Sequence, residues 1–447
     1  MISSRAYLIA FAIAATALLT ACDTIEDLLP AAKHRAKITG ERVPVMAGED
    51  AIQADPQLAA APVQLPPPYL NPDWPQPGGY SDNVLHHLEA GGPLKMIWDA
   101  NAGKGSDEDS LLTAPPIIAD GSVYVMDAES NITAFNAKSG QALWRVSLAP
   151  DADDPEKGAG GGIAYEDGKL YAASGFGFVK ALDAKTGKEL WKANLSVPIT
   201  DAPTVNGGRV YAITQENHLY ALAASDGRVL WDHTGIVESA GIMSGTSPAV
   251  AGEFVVAPYS SGELFALRVE NGRVAWNDML TRTGATTPLT AINDIAGRPV
   301  IDRGMVFAIS HSGRMVAIDI RTGERVWTNN IAGMQTPWVA GEYVFVVSVD
   351  GQLICLSRKD GRIKWLSQLP HFEDAEGKSG IIYWAGPVLV SDRLLLLSSV
   401  GQAVSVSPYT GQILGQVEIP HGAFITPVVA NGMVYILTNN AELVALK

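Results

Sequence analysis

Apolar residues in most of this chain occur in short runs that are separated by turn residues. One unit reads Ser122-Val-Tyr-Val125, Ile132-Thr-Ala-Phe135 and Leu143-Trp-Arg-Val146. The runs are rich in Val, Ile and Tyr and are bounded by Gly, Asn or Asp, which is typical of strands. Asp-Gly, Ser-Gly and Thr-Gly steps favour hairpin turns, because glycine adopts a positive φ without steric cost. The pattern predicts small antiparallel sheets of short strands.

This unit repeats along the chain, and a glycine followed four residues later by a tryptophan marks each copy. The copies are Gly140/Trp144, Gly187/Trp191, Gly227/Trp231, Gly272/Trp276, Gly323/Trp327 and Gly361/Trp365. A seventh copy has Gly411, but Gly415 stands where the tryptophan is expected. A period of roughly forty to fifty residues is typical of propeller blades, each of which is a four-stranded sheet.

A small residue precedes each marker glycine by six positions. The set is Ala134, Ala181, Ala221, Ala266, Ala317, Cys355 and Ser405. Small side chains leave room for a bulky neighbour, so we predict that each tryptophan is wedged between adjacent blades. This structural role is favoured over stacking on a ligand, and truncation to alanine should cost about 3–5 kcal/mol. The blade-docking tryptophans are Trp98, Trp144, Trp191, Trp231, Trp276, Trp327 and Trp365.

An eighth unit begins at Thr426 and ends at Leu446 without a tryptophan strand. The missing strand is available at Leu94-Lys-Met-Ile-Trp98, just before the first complete unit. We therefore predict an all-β fold over residues 93–447, an eight-bladed β-propeller of four-stranded antiparallel blades. Pairing of the N-terminal strand with the C-terminal blade closes this ring and leaves no long sheet edge exposed.

The N-terminal part of the chain has no such repeat. Residues 1–21 contain Arg5, then an apolar stretch and small residues, which indicates a signal peptide. Leu19-Thr-Ala-Cys22 matches a bacterial lipobox, so Cys22 is the predicted lipidation site. The alternative is an ordinary secreted protein with an incidental cysteine. Residues 22–92 are predicted to be the lipidated cysteine followed by an Ala/Pro-rich tether.

Two features of the tether suggest local order. The stretch around Trp74 is too specific for a pure linker and could pack against the ring. A short helix is expected over residues 81–90. The adjacent histidines His86 and His87 have no partner at metal-ligand spacing, so a surface pair is expected there.

Composition and motifs give little sign of chemistry. The formal net charge is −15 at pH 7, which argues against binding of nucleic acid and adhesion to anionic lipid. No nucleophile elbow occurs, and the glycine-rich stretch 158–162 leads into a strand rather than a phosphate-binding helix. Cys355 is expected to be a packed core thiol. The residues alone indicate a binding scaffold that is not an enzyme and uses no cofactor or metal.

Blade spacing points to the loops that could bind a partner. Extra residues fall near 281–297 and 370–384, and the loop 233–246 neighbours the first of these. Loops carried on a rigid scaffold are frequent binding sites. Ile242 and Met243 are apolar residues with no obvious strand to occupy, so partner contact and inward packing are both open.

The Gly-x-x-x-Trp repeat with its preceding alanine resembles the family of PQQ-like repeat propellers. That family includes quinone-cofactor dehydrogenases and the BamB lipoproteins of the outer-membrane β-barrel assembly machinery. Because it has a lipobox and a Pro-rich tether, this chain resembles the BamB lipoproteins more closely. This resemblance implies a subunit that docks on the periplasmic POTRA domains of BamA, with nascent outer-membrane proteins as further candidate partners. It places Ile242, Met243 and Asp294 at the BamA contact. Met243 and Ala296 replace an arginine and an aspartate of the family pattern, which favours a more apolar interface.

Two other functions remain as alternatives. One is a PQQ-dependent quinoprotein dehydrogenase, although this chain lacks the vicinal cysteine pair of those enzymes. The other is a periplasmic ligand-sensing propeller.

The expected location is the periplasmic side of the outer membrane, with a lipid anchor. Asp23 directly after the lipidated cysteine leaves retention at the inner membrane open.

Overall fold

The computed structural model describes residues 52–107, 110–150, 160–238, 246–281 and 292–447. The predicted signal peptide, Cys22 and the first part of the tether lie outside these residues. Ile242 and Met243 also lie outside them. The described residues from 52 onward belong to one compact unit.

The strands of the described residues form eight four-stranded antiparallel sheets, which confirms the predicted all-β, eight-bladed propeller. Blades 1 and 2 are β2–β5 (Ile117–Ala119, Ser122–Met126, Asn131–Asn136, Ala142–Ser147) and β6–β9 (Gly161–Glu166, Lys169–Ser174, Phe178–Asp183, Glu189–Asn194). Blades 3 and 4 are β10–β13 (Thr204–Asn206, Arg209–Ile213, His218–Ala223, Val229–Thr234) and β14–β17 (Ala249–Ala251, Phe254–Pro258, Glu263–Arg268, Val274–Met279). Blades 5 and 6 are β18–β21 (Val300–Asp302, Met305–Ile309, Met315–Asp319, Arg325–Asn329) and β22–β25 (Trp338–Ala340, Tyr343–Val347, Gln352–Ser357, Ile363–Gln368).

The last two blades lie on either side of the junction between the chain's two ends. Blade 7 is β28–β31 (Trp384–Val390, Arg393–Ser398, Gln402–Val406, Ile413–Glu418), and it follows a small hairpin, β26–β27 (Phe372–Asp374, Ser379–Ile381). Blade 8 is β32–β34 (Val428–Ala430, Met433–Leu437, Glu442–Leu446) with β1 (Met96–Asn101) as its fourth strand. β1 pairs antiparallel with β34, and Trp98 lies opposite Ala445.

Turn chemistry explains why the strands are short. Asp120 and Gly121, between the first two strands of blade 1, have φ values of 50° and 73°. Positive φ at both central residues is the geometry of a type I′ turn, whose twist matches that of the flanking strands. The same geometry recurs in blade 2 at Asp167 and Gly168.

Apolar residues of the inner strands are buried on both faces because each sheet packs between two others.

Each blade-docking tryptophan lies between its own blade and the next, as Trp144 illustrates. Trp144 lies opposite Ala134 in the ladder of blade 1, which shows why that position is small. Its Nε1 donates a hydrogen bond to the carbonyl oxygen of Ala184 in blade 2, at 3.1 Å. Its ring covers Gly187, where an added Cβ would lie 2.7 Å from the ring. The same contact with the next marker glycine occurs for Trp98–Gly140, Trp191–Gly227, Trp231–Gly272, Trp276–Gly323, Trp327–Gly361 and Trp365–Gly411.

The exception at Gly415 follows from how blade 8 is assembled. Its third and fourth strands, β34 and β1, come from opposite ends of the propeller chain, so no marker turn joins them. A tryptophan on β31 of blade 7 would therefore have no marker glycine to cover. Within the described residues, no atom lies within 4 Å of a Cβ built at Gly415.

Residues 63–91, named the plug, lie across one end of the channel at the centre of the ring. They make at least one hydrogen bond to the innermost strand of every blade. From blade 1 to blade 8 the bonded pairs are Trp74–Ile118, Pro75–Tyr165, Gln76–Val205, Ser81–Val250, Asp82–Ile301, His86–Trp338, Leu88–Leu389 and Asn71–Val429. Because innermost strands surround the channel, a segment that reaches all eight must cross its mouth. The region predicted as tether therefore includes a folded part.

The structure corrects two expectations about the plug. Residues 81–90 contain no helix, because their backbone groups bond to successive blades instead of to one another. His87 is not a surface residue: it is 1% exposed. Its Nδ1 lies 2.7 Å from the carbonyl oxygen of Pro66, and its Nε2 accepts from the N–H of Asp392 at 3.1 Å.

A short helix, α1 (Pro56–Ala60), precedes the plug and packs on the outer strand of blade 6. Asp55 caps its first turn by accepting from the backbone N–H groups of Gln57 and Leu58. At its other end, the buried Lys364 ammonium donates to three carbonyl oxygens, those of Leu58, Ala59 and Ala61. A cation is favourable at a helix C-terminus, where carbonyl groups lack intrahelical partners.

Cys355 is fully buried opposite Trp365 in blade 6. Burial raises the pKa of the Cys355 thiol well above its ordinary value. Both observations agree with the expected packed core thiol.

Candidate functional site

The loops between blades lie at the end of the ring opposite the plug. Strands within a blade are antiparallel, so the hairpin after the first strand and the marker turn share the plug end, and the connections to the next blade share the other end. Two neighbouring connections join blades 3 to 4 and 4 to 5, over residues 235–248 and 280–299. Both were singled out by the sequence.

The first connection begins with two exposed apolar side chains, Ile236 and Val237, which are 54% and 59% exposed. Their backbone is held firmly. The N–H of Ile236 donates to Oε2 of the buried Glu263 at 2.7 Å, and Nδ2 of the buried Asn217 donates to the Ile236 carbonyl oxygen at 2.6 Å. Gly235 is required before them, because a Cβ there would lie 2.7 Å from the Tyr259 ring. The loop thus presents an apolar pair on a fixed backbone.

Three charged residues lie beneath the same loops, of which Asp294 is buried and Asp201 and Arg298 are partly buried. Asp294 in the second connection is 3% exposed, and its carbonyl oxygen accepts from the N–H of His311 at 2.9 Å. Nε of Arg298 donates to Oγ of Ser247 in the first connection at 3.1 Å, which links the two loops. Asp201 comes from the preceding connection, between blades 2 and 3, and its carboxylate interacts electrostatically with both Asp294 and Arg298.

Burial disfavours the charged form of both Asp201 and Arg298, so it shifts their pKa values in opposite directions. Burial and the nearby Asp294 carboxylate together raise the pKa of Asp201 to about 7, although Arg298 acts in the opposite direction. Burial also lowers the pKa of Arg298 to about 10, against the effect of Asp201. Oδ1 of Asp201 and Oγ1 of Thr246 are buried without a hydrogen-bond partner in the described residues. The network joins three loops and is poised to change its protonation near neutral pH.

Of the three predicted partner-binding residues, the structure describes only Asp294. Ile242 and Met243 lie outside the described residues, so their contact role stays a prediction. Asp294 belongs to the buried network, and its neighbour Ala296 is 2% exposed. Ile236 and Val237, which the sequence reasoning did not select, are the exposed apolar pair in the described part of this loop. The sequence feature that could have indicated them is a pair of apolar residues that follows a glycine just beyond the end of a strand.

The third loop region that the sequence indicated, 370–384, joins blades 6 and 7 and forms the hairpin β26–β27 on the same end of the ring. Its strand residues are mostly exposed, and Ile381 is 49% exposed. Beyond it, Tyr383 packs on Phe424 of the next connection, with ring centroids 6.0 Å apart. This makes a second apolar area, near blades 7 and 8.

Two further observations concern metals and membranes. The described residues contain no group of three or more His, Cys, Asp or Glu side chains placed to hold a metal ion. In the same part of the chain, no helix is both long enough and apolar enough to cross a bilayer.

Comparison with known proteins identifies one matching family. Residues 128–367, more than half of the chain, match the family described as "Outer membrane protein assembly factor BamB". The protein of that name from Escherichia coli (strain K12) is 25% identical over 381 residues, which cover 76% of this chain and 85% of the relative. The one from Moranella endobia (strain PCIT) is 24% identical over 245 residues, covering 55% of this chain and 61% of the relative, less than two thirds of its length.

Solved structures share the fold more widely. The crystal structure of BamB from Moraxella catarrhalis superposes with a TM-score of 0.65 at 18% identity, covering 79% of this chain and 99% of that one. The quinohemoprotein alcohol dehydrogenase from Comamonas testosteroni has a TM-score of 0.64 at 14% identity, covering 84% and 80%. At these identities the likeness shows the fold alone, and a fold does not choose between functions.

Proposed function

Because the chain belongs to the family of outer membrane protein assembly factor BamB, we propose that it is a non-enzymatic scaffold of the machinery that assembles outer-membrane β-barrel proteins. The family match over residues 128–367 carries this proposal. The quinoprotein alternative is supported only by a fold that both groups share. The chain's relatives are named as assembly factors, not as enzymes.

The protein is anchored by lipid at Cys22 on the periplasmic side of the outer membrane. The lipobox at the end of a signal peptide supports this location, and Asp23 keeps the inner membrane as the alternative. Because α1 already packs on blade 6, residues 22–51 are the part of the chain between the anchor and the folded residues. At about 3.3–3.6 Å per extended residue, this length is ample to reach a partner on the membrane.

The partner is BamA, bound through its periplasmic POTRA domains at the loops between blades 3, 4 and 5. Exposed Ile236 and Val237 on a fixed backbone support an apolar contact, because burying an exposed aliphatic side chain contributes about 1.5–3 kcal/mol. Ile242 and Met243 extend this apolar stretch along the sequence. Burial of Asp294 supports a role in holding the two loops together and not in a charge pair at the surface.

The test is affinity purification of the tagged lipoprotein from detergent-solubilised envelopes, with BamA quantified in the eluate. Native protein should recover BamA, and a variant with both Ile236→Asp and Val237→Asp should recover at least tenfold less. The matched control carries Ile413→Asp and Leu414→Asp, which are similarly exposed at 50% and 59% but lie on the outer strand of blade 7. That control should recover BamA fully.

Two outcomes would overturn parts of the proposal. Absence of BamA from the native eluate would contradict the assembly role. Equal recovery by the native protein and the loop variant would contradict the assignment of the loops, while leaving the assembly role intact.

A further inference from the structure

A groove of about 900 Å³ opens on the plug-side rim between blades 3 and 4. Its lining includes Arg209 from β11, Arg268 from the end of β16, and Arg273 from the marker turn of blade 4. Three arginines therefore line one groove although the whole chain has a formal net charge of −15.

Two of these cations lack a partner. Arg268 pairs with Glu253 at 2.5 Å and lies over the Phe254 ring. Arg209 and Arg273, in contrast, form no side-chain hydrogen bond or ion pair with the described residues, and Nε of Arg209 is buried. A buried donor without an acceptor is unfavourable, so an anionic oxygen would be stabilised at this position.

The marker turn beside these arginines also lacks a side-chain acceptor that the marker turns of blades 2 and 5 have. In blade 2 the carboxylate of Asp183, four residues before the marker glycine, accepts from the N–H of Thr186 at 2.9 Å. Asp319 does the same in blade 5, accepting from Arg321 and Thr322.

In blade 4 the equivalent residue is Arg268. As a result, no side chain among the described residues accepts from the N–H of Glu270, and the N–H of Asn271 donates only to the backbone carbonyl oxygen of Arg268, at 3.3 Å. Blade 3 has Ala223 at the same position, so absence of the cap is tolerated by the fold.

We propose that this groove binds a carboxylate from an acidic segment of a partner polypeptide. The carboxylate occupies the place beside the turn that Asp183 and Asp319 occupy in their own blades, and Arg209 and Arg273 neutralise it. Planar guanidinium groups match the two oxygens of a carboxylate. Glu253 and Glu270 also line the groove, so three arginines against two glutamates give the lining a net formal charge of +1, which suits one carboxylate better than a dianion such as phosphate. The groove lies at the end of the ring opposite the loops assigned to BamA, so this second contact does not depend on that assignment.

The test uses the full chain and a fluorescein-labelled hexa-aspartate peptide, with binding measured by fluorescence anisotropy at physiological ionic strength. The double variant Arg209→Gln, Arg273→Gln should bind at least tenfold more weakly than the native protein. Arg228→Gln is the matched control, because Arg228 also directly follows a marker glycine, in blade 3, but does not line the groove. It should bind as the native protein does.

A second variant supplies the turn with a carboxylate of its own. Arg268→Asp restores the carboxylate found in blades 2 and 5, so it should cap its own turn, keep the native melting temperature within about 2 °C, and lose peptide binding. If this variant or the double variant bound the peptide with native affinity, the site would be wrong. Stronger competition by inorganic phosphate than by acetate, or arginine-dependent binding to phosphatidylglycerol vesicles, would likewise overturn the carboxylate assignment.

Discussion

The side-chain amide of Gln76 pairs with the backbone of Val205 as a neighbouring strand would. Nε2 donates to the Val205 carbonyl oxygen at 2.6 Å, and Oε1 accepts from its N–H at 3.1 Å. Both groups belong to the innermost strand of blade 3, which has no further strand on its channel side. The plug therefore acts as a source of hydrogen-bond partners for strand edges that face the channel.

Replacement of Gln76 should destabilise the protein because it leaves two buried backbone groups unpaired. We expect Gln76→Leu to lower the free energy of unfolding by about 2–4 kcal/mol, measured by urea denaturation. Gln57→Leu is the control, since Gln57 is exposed on α1. Equal urea midpoints for the two variants would show that the amide pair contributes nothing.

Lys364 should determine whether α1 stays docked on blade 6. Lys364→Met removes the donor to three carbonyl oxygens at the end of the helix but keeps the aliphatic stem. We expect faster chymotrypsin cleavage at Leu58, while the ring's melting temperature falls by no more than a few degrees. Lys185→Met, on an exposed marker turn, should be cleaved at the native rate. An unchanged rate for Lys364→Met would mean that the ammonium does not hold the helix.

The contact of tryptophan with marker glycine can be tested apart from backbone strain. Gly272 and Gly304 have similar φ values, 70° and 79°, but a Cβ at Gly272 would lie 2.6 Å from the Trp231 ring, whereas one at Gly304 has nothing within 4 Å among the described residues. Gly272→Ala should therefore lose more stability than Gly304→Ala. Trp231→Ala should lose about 3–5 kcal/mol. Equal losses for the two alanine variants, measured by thermal denaturation, would mean that strain alone is being observed.

Protonation of Asp201 should make stability depend on pH. Folding raises its pKa from about 3.8 to about 7, so its stabilising contribution is complete below the unfolded pKa and is lost as pH rises through 7. Asparagine resembles the protonated form. Asp201→Asn should thus gain stability over the native protein between pH 5 and pH 8, by at least about 1 kcal/mol. The exposed Asp167→Asn is the control, and a pH-independent difference for Asp201→Asn would refute the account.

The repeat explains which parts of the fold could be predicted. Each blade needs the same small residue, turn glycine and tryptophan, so one rule covers Ala134, Gly187 and Trp144 and their counterparts. The plug follows no such rule, because each of its residues meets a different blade and most of its bonds use the backbone. A helix over residues 81–90 was expected wrongly for that reason: local pattern does not reveal that the N–H groups have distant acceptors.

The candidate site shows the same limit. Spacing located the loops between blades 3, 4 and 5, but it could not show the direction of Asp294. That residue is buried and interacts electrostatically with Asp201, which comes from a distant part of the sequence. Ile236 and Val237 were accessible to sequence reasoning, since no strand pattern accounts for them.

The joint between β1 and β34 has a consequence for the order of events in the cell. The ribosome makes the N-terminal residues first, yet β1 cannot pair until β34 has been made, and the plug cannot make its bonds to blade 8 before then. The ring therefore has no finished intermediate. Until the last strand is available, each new chain has an unpaired β1 and an incomplete eighth blade, and such exposed strand edges favour aggregation.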